Sequence, residues 1–372
     1  MTEIVVVGAG VVGLAVAEEL ARSGREVLVL ERDRVGETCA ASVAAGMLAP
    51  AAEADATPHT TTVLALWSHG MYPEWVARLE ATSGIDMEFD RSGTVVAALD
   101  ADDLRELVHL ERAQRRFGSE SRRLSAEEAR ELQPSLGPGV VGGLLLSGDW
   151  QVNPRRLLQA LRRSLELEGG RVFEGAAVQA LERRDGAWRL VVQGSRTLKA
   201  TMVVLAAGAW TASLVPPDLP KPPVRPVRGA ALRLGGGLAT PVVVRTPRVY
   251  VVPRASGETV VGATVEERGW EAEPLAGAVY ELLKESRRAL PCVDEMPLRE
   301  VGVGFRPAIR DGVPAVGPLD GDRTLFVATG HYRKGIELAP LTAALVRALV
   351  EGREHPLAAS VDPRRFGAQG EP

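Results

Sequence analysis

The chain has few cysteines, few aromatic residues and little net charge. It contains two cysteines in 372 residues, and aromatic residues make up 4% of the total. Cys39 and Cys292 lie far apart in the sequence, so we expect no structural disulfide and a reduced, cytoplasmic environment. The formal net charge is −4, and no basic block with interleaved aromatics occurs. The composition therefore gives no reason to expect nucleic acid as a partner.

Long apolar runs and metal-ligand spacings are also missing from the sequence. No run approaches the ~20 apolar residues of a membrane span. The chain begins directly in a strand-like segment, so we expect no secretion signal and no membrane partner. The five histidines show no ligand spacing, which argues against a metal site. Hydrophobic residues at 45% and charged residues at 25% are typical of a globular protein, and the length favours two domains.

Residues 1–31 read as a strand, a glycine-rich turn, a helix, a second strand and a terminal acid. The predicted elements are a strand from Ile4 to Val7, a helix from Leu14 to Arg22 and a strand from Val27 to Leu30. Gly8, Gly10 and Gly13 give the G-x-G-x-x-G spacing, in which the glycines permit a tight turn, approach to a pyrophosphate and close helix packing. Glu31 is placed to accept hydrogen bonds from ribose hydroxyls. The segment therefore predicts dinucleotide binding.

The rest of the chain alternates between two kinds of segment. Asn153-Pro154 predicts the start of a helix, Asp185-Gly186 predicts a hairpin turn, and residues 201–205 form an apolar strand. Closely spaced strand-like runs between residues 229 and 261 favour antiparallel pairing. The end of the chain returns to strand, turn and helix around Gly330. We therefore expect an α/β nucleotide-binding domain in three segments, interrupted twice by an antiparallel-sheet domain.

Several motifs resemble those of the FAD-dependent D-amino-acid oxidase and sarcosine oxidase superfamily. They are the Gly8–Glu31 unit, AAGMLAP at 44–50 and VVLAAGAW at 203–210. Four further motifs are most similar to those of glycine oxidases, namely YVVPR at 250–254, VVGATVE at 260–266, GFRPAIRDGVPAVG at 304–317 and ATGHYRKGIELAP at 328–340. The resemblance implies an α/β plus α+β fold, with a Rossmann-like FAD-binding domain of the glutathione-reductase type at 1–84, 150–215 and 300–372. An inserted antiparallel-sheet substrate domain would then occupy 85–149 and 216–299.

The resemblance also implies a reaction, the oxidative deamination of glycine, sarcosine and small D-amino acids. Hydride would pass from the substrate α-carbon to flavin, water would hydrolyse the imine to an oxo acid such as glyoxylate, and oxygen would take the electrons as hydrogen peroxide. The implied role is thiazole synthesis for thiamine, and the implied assembly is a homo-oligomer, a tetramer by resemblance alone. Two alternatives stay open: a D-amino-acid dehydrogenase that reduces a quinone or carrier, and a non-catalytic flavoprotein subunit.

The family motifs assign a substrate clamp to three side chains of this sequence, Tyr250, Arg306 and Arg333. A guanidinium offers a planar fork that matches a carboxylate, and a phenol adds one directional donor. The alternatives are surface or ion-paired arginines and a half-buried strand tyrosine. No general acid or base is assigned, because the family uses the stretch around His331 mainly for backbone contacts to flavin.

The resemblance assigns the cofactor to residues from six parts of the chain. They are Gly8, Gly10, Val11, Val12 and Gly13; Glu31 and Arg32; Ala40, Ala41, Ala45, Gly46 and Met47; Val178 and Gly208; and Gly330, His331, Tyr332, Arg333, Lys334, Gly335, Ile336 and Glu337. Arg32 replaces a small residue and either contacts a phosphate or faces water, and Glu337 stands in a usually apolar place. Because neither cysteine falls in the motif that binds FAD covalently in monomeric sarcosine oxidases, we expect non-covalent FAD.

Overall fold

The fold was analysed in a computed structural model that describes residues 1–50, 59–194 and 196–367. The helices, in chain order, are α1 Val11–Arg22, α2 Ala40–Val43, α3 His59–Ser83, α4 Ala101–Arg116, α5 Ala126–Leu132, α6 Pro154–Leu167, α7 Thr211–Leu214, α8 Ala276–Ala289 and α9 Ala339–Val350. The strands are β1 Thr2–Val7, β2 Val27–Leu30, β3 Met47–Leu48, β4 Thr94–Ala98, β5 Arg122–Ser125, β6 Gly142–Leu146, β7 Trp150–Gln151, β8 Arg171–Phe173, β9 Val178–Arg184, β10 Ala187–Val192, β11 Arg196–Leu205, β12 Arg225–Gly235, β13 Val243–Arg245, β14 Tyr250–Pro253, β15 Glu258–Gly262, β16 Leu298–Ala308, β17 Ala315–Pro318 and β18 Leu325–Thr329.

The first sheet has a parallel centre built from distant parts of the chain. Its order is β17-β18-β11-β1-β2-β8, with β10 and β9 added antiparallel beside β11. Parallel sheets are buried on both faces, which explains why β1 and β2 are almost continuously apolar. Helices α1, α3, α6 and α9 cover one face, and the β9–β10 hairpin covers the other. The predicted nucleotide-binding fold is confirmed.

The second sheet is antiparallel except for one pair of strands. Its order is β16-β12-β15-β14-β13-β4-β6-β5, and only β13 and β4 run parallel among these paired strands. Apolar residues of α8, such as Leu282 and Ala289, pack against Leu232 and Leu234 of β12. The sequence analysis predicts a domain boundary at residue 300. This residue lies within β16, a strand that pairs with β12 of this second sheet.

Local signals in the sequence fix several element ends. The side-chain oxygen of Asn153 accepts hydrogen bonds from the N–H groups of Arg155 at 3.1 Å and Arg156 at 3.4 Å, and Pro154 occupies the first turn, so α6 begins where predicted. Helix α1 begins at Val11, earlier than predicted, because Gly10 is extended and caps it. No helix in the three described ranges is long and apolar enough to cross a membrane.

Candidate active site

Two of the three glycines after β1 allow close approaches of backbone, and the third leaves open space. Gly8 has φ +104°, and a Cβ atom there would lie 2.6 Å from the carbonyl oxygen of Ala206. A Cβ on Gly13 would collide with the carbonyl of Gly8, so this glycine lets α1 pack against the turn. A Cβ on Gly10 would meet only the side chain of Cys39, at 4.0 Å. The space over Gly10 therefore lies open beside the first N–H groups of α1, an arrangement suited to a phosphate.

The acid after β2 is tied to this turn. Glu31 Oε2 accepts a hydrogen bond of 2.6 Å from the N–H of Ala9, and Oε1 accepts one of 3.1 Å from the N–H of Asp33. Arg32 takes a position that the sequence did not indicate, with its guanidinium carbon 4.4 Å from the centre of the Trp210 ring and its Nε 2.9 Å from Asp33. Its stacking on an indole is a cation–π contact.

One cavity of about 650 Å³ brings the predicted site residues together. It runs from the β1–α1 turn and Glu31 at the first sheet to Tyr250 and Arg306 on the second sheet. Of all the residues predicted to hold cofactor or substrate, Gly13 and Gly330 alone do not line it. Gly330 has φ +80°, and a Cβ there would collide with the side chain of Ile309. Glycine is therefore required at this position by the conformation and packing of the turn.

A buried arginine holds the small-residue loop at 44–47. Arg254 is 5% exposed and donates hydrogen bonds to the carbonyl of Ala45 and, at 2.8 Å, to Gln151 Oε1. Burial lowers the pKa of Arg254 to about 10, so the guanidinium stays charged at neutral pH. Gly46, with φ +71°, has no room for a side chain against Val152 and Pro154. The sequence signal for Arg254 was its place at the end of the YVVPR motif, but its contact could not be read from it.

The segment 330–337 is anchored from behind by helix α3. Tyr72 donates to the carbonyl of Ile336 at 2.5 Å, and Ser68 donates to the carbonyl of Glu337 at 2.6 Å. Glu337 is 3% exposed and lies 2.7 Å from Lys334 Nζ, so its charge is paired inside the wall of the cavity. The sequence alone did not indicate a role for the Glu337 side chain.

His331 is buried and neutral. Its Nε2 lies 3.0 Å from Thr342 Oγ1 of α9, and burial lowers its pKa to about 4. An imidazole with this pKa holds no proton on its second nitrogen at neutral pH. The structure therefore gives His331 a place in packing α9 against the cavity wall.

The three side chains of the predicted carboxylate clamp lie on the wall of the same cavity. Tyr250 is on β14 beside Gly262 of β15, and a Cβ on Gly262 would lie 2.5 Å from the phenol oxygen. Arg306 is on β16, and its guanidinium crosses Gly229 of β12, where any Cβ would overlap it. Arg333 lies in the segment that follows β18 of the first sheet, with its guanidinium carbon 5.3 Å from the centre of the Tyr332 ring.

An aromatic cluster beside this wall was not predicted from the sequence. Trp210 stacks on Trp270 at 4.7 Å between ring centres, and Phe305, next to Arg306, lies 5.4 Å from Trp270. Trp210 and Phe305 both line the cavity. Residues so far apart in the chain carry no sequence signal that they share a cluster.

Comparisons with known proteins agree with this geometry. The family model described as FAD dependent oxidoreductase matches residues 3–349. Glycine oxidase of Pseudomonas aeruginosa is 33% identical over 371 residues, which cover 99% of this chain and 98% of that protein. The crystal structure of glycine oxidase from Geobacillus kaustophilus superposes with a TM-score of 0.89 at 30% identity, covering 100% of this chain and 99% of that one.

A second group of relatives is longer. The bifunctional protein ThiO/ThiG of Synechocystis is 34% identical over 98% of this chain, but the match covers 54% of that protein. This chain thus spans about half the length of the bifunctional relatives that it matches. The match of the family model to nearly the whole described length, together with the cavity and its glycine turn, shows that the chain belongs to the FAD-dependent oxidoreductase family.

Proposed function

We propose that this chain oxidises glycine and other small amino acids, with FAD as cofactor and oxygen as electron acceptor. The observation that carries the proposal is that Tyr250, Arg306 and Arg333 line the same cavity as the dinucleotide turn. Two guanidinium groups and a phenol suit a carboxylate, because charge-assisted N–H···O bonds are stronger than neutral ones. A small substrate with one carboxylate would thereby be held at the end of the cavity formed by Tyr250 and Arg306, beside the flavin ring.

The residues present fit FAD. The open space over Gly10 and the first turn of α1 would receive the phosphates, and the Glu31 carboxylate would accept hydrogen bonds from ribose. The cavity-lining segments at 44–47 and 331–337 would enclose the ring system. We infer non-covalent attachment, because Cys292 lies outside the cavity-lining residues and burial raises the pKa of the Cys39 thiol. A thiol with a raised pKa forms little of the nucleophilic thiolate.

Bound FAD would supply the two-electron acceptor that amine oxidation requires. The side chains of the chain itself bind and orient: Arg306 and Arg333 neutralise the substrate carboxylate, and Tyr250 adds a directional donor. His331 is not assigned as a base, because its imidazole is buried against Thr342 with a pKa of about 4. Catalysis in this proposal is therefore positioning rather than proton transfer by a side chain.

The names of the relatives support the substrate and suggest a cellular role. Proteins called glycine oxidase are similar over nearly their full length, and the bifunctional ThiO/ThiG proteins contain this sequence pattern in about half of theirs. We propose that sarcosine and small D-amino acids are further substrates, and that the imine product serves thiazole synthesis for thiamine.

The proposal is tested with the purified protein, supplied with FAD and mixed with glycine under air. Formation of hydrogen peroxide, glyoxylate and ammonia in equal amounts is the expected result. Rapid reduction of the bound flavin by glycine, with slow reoxidation in air and fast reoxidation by a quinone, would instead identify a dehydrogenase. If glycine, sarcosine and small D-amino acids all fail to reduce the flavin, the proposed function is wrong.

A further inference from the structure

The side chain of Arg306 is held by carbonyl groups from two separate segments. Its Nη1 donates to the carbonyl oxygen of Arg228 at 3.2 Å and to that of Thr264 at 3.1 Å. Arg228 lies on β12, whereas Thr264 lies two residues beyond the end of β15. The orientation of the guanidinium therefore depends on how firmly these two segments are fixed to each other.

A buried ion pair joins the two segments. Arg228 is 0% exposed, and its Nη1 lies 2.5 Å from Glu266 Oε2. Its other amino group donates to the carbonyl of Glu273. The main chains of Arg228 and Glu266 also exchange two hydrogen bonds, each of 3.0 Å. A buried arginine whose partner is removed is left with an uncompensated charge, so the pair holds this geometry strongly.

The hydroxyl of Thr264 completes the network. It accepts a hydrogen bond of 2.8 Å from the N–H of Ala230 and donates one of 2.6 Å to Glu266 Oε1. The main-chain N–H of Thr264 donates to the carbonyl of Ala230 at 3.1 Å. The carboxylate of Glu266 thus contacts both residues whose carbonyls hold Arg306.

We propose that Arg228, Thr264 and Glu266 are positioning residues that set the angle at which Arg306 meets the substrate carboxylate. This inference rests on the proposed function of Arg306. None of these positioning residues is among the lining residues of the cavity, and the hydrogen bonds that Arg306 donates to Arg228 and Thr264 connect them to the clamp. A guanidinium binds a carboxylate best when the two groups are coplanar, so a small rotation of Arg306 weakens both hydrogen bonds together.

The experiment compares variants on the same loop in the FAD-loaded protein. Thr264→Val removes the hydroxyl, Thr264→Ser keeps it, and Glu266→Gln removes the negative charge. The matched control is Glu267→Gln, because Glu267 forms an ion pair of 2.5 Å with Arg225 that is exposed to solvent. Acetate, a carboxylate without an amine, is the binding probe, and its affinity is read from the change in flavin absorbance. KM and kcat for glycine and FAD content are measured in parallel.

We expect Thr264→Val and Glu266→Gln to weaken acetate binding and to raise KM for glycine, each by about tenfold or more, as small misplacements of binding groups do. Thr264→Ser and Glu267→Gln should stay within about twofold of the wild type, with FAD content unchanged in every variant. If Glu266→Gln does not retain FAD, the Thr264 pair decides the question. Acetate affinity within twofold of the wild type in Thr264→Val would overturn the inference.

The wild type and Arg306→Ala separate this inference from the proposed function. If acetate binds the wild type and Arg306→Ala weakens it, while Thr264→Val and Glu266→Gln do not, only the positioning roles are wrong. If Arg306→Ala leaves acetate binding unchanged, the assignment of Arg306 to the carboxylate is wrong, and the positioning proposal fails with it.

Discussion

Removing the Arg306 guanidinium should weaken substrate binding more than the loss of any neutral donor. Truncating one partner of a desolvated charge pair costs about 2–5 kcal/mol, or roughly 30-fold to several-thousand-fold in kcat/KM. Arg306→Lys should recover only part of this loss. The lysine would keep the charge, but its single ammonium group would be drawn to the carbonyls of Arg228 and Thr264, which the Nη1 atom of Arg306 now contacts. Tyr250→Phe removes a neutral donor and should cost only about 0.5–1.5 kcal/mol.

The assay is steady-state kinetics with glycine, alongside the flavin absorbance of each variant. FAD content should not change, because Arg306 lies on the second sheet, away from the β1–α1 turn. The matched control is Arg310→Ala, since Arg310 is exposed in the same motif and should behave like the wild type. If Arg306→Ala keeps a kcat/KM near that of the wild type, or if its main defect is lost FAD, the assignment is wrong and Arg333 becomes the principal candidate.

Three further changes test Glu31, Asp149 and His331. Glu31→Ala removes the acceptor of the Ala9 N–H and should raise the Kd for FAD at least about fivefold in a titration of the apoprotein. KM for glycine should not change at saturating FAD. Unaltered FAD affinity would contradict the role of this acid. Burial raises the pKa of Asp149 to about 7, so the folded chain keeps a proton that the unfolded chain releases near pH 4, and stability falls as the pH rises from about 4 to 7. Asp149→Asn should therefore gain about 2–4 kcal/mol relative to the wild type between pH 5 and pH 8 in denaturant titrations, and an equal difference at both pH values would refute the shift. His331→Gln should leave the shape of the pH profile of kcat/KM between pH 6 and 8 unchanged, because the pKa of His331 is already about 4; loss of an ionisation in that range would restore the histidine as a base.

The nucleotide turn was predictable because its chemistry is local. Gly8 needs a positive φ, Gly13 needs contact with the carbonyl of Gly8, and Glu31 follows at the end of the next strand. Each requirement involves residues within one β-α-β unit, so spacing in the sequence carries it. The start of α6 at Pro154 is local in the same sense, since Asn153 caps its own helix.

The contacts of the second sheet were not predictable in this way. Arg306 and Tyr250 were identified through resemblance, but the glycines that make room for them come from neighbouring strands. Gly229 lies on β12, the strand beside Arg306 of β16, and Gly262 lies on β15, directly opposite Tyr250 of β14. The pairing of β12 with β16 joins strands that are distant in the chain, and no single-sequence pattern specifies that register.

Helix α3 shows a different reason for a missed feature. It runs from His59 to Ser83 with Pro73 inside it, and its buried residues include polar ones such as Thr62 and Ser68. A helix packed between α6 and α9 has no single apolar face, so the usual periodicity is weak. The hydroxyl of Ser68 is buried because it donates to the carbonyl of Glu337, a contact that appears only once α3 lies against the cavity wall.

The two ends of the cavity are joined by contacts that cross between the sheets. Arg32, which follows β2, lies against Trp210, which follows β11; Trp210 stacks on Trp270, and Trp270 contacts Phe305 of β16. Phe305 is the neighbour of Arg306 in the chain, so the residue expected to bind the carboxylate is connected through three rings to Arg32, which follows the acid expected to bind ribose. FAD content therefore has to be measured beside the kinetics of every substrate-side variant. A defect in glycine kinetics with full FAD content supports the clamp, whereas loss of FAD as the main defect contradicts it.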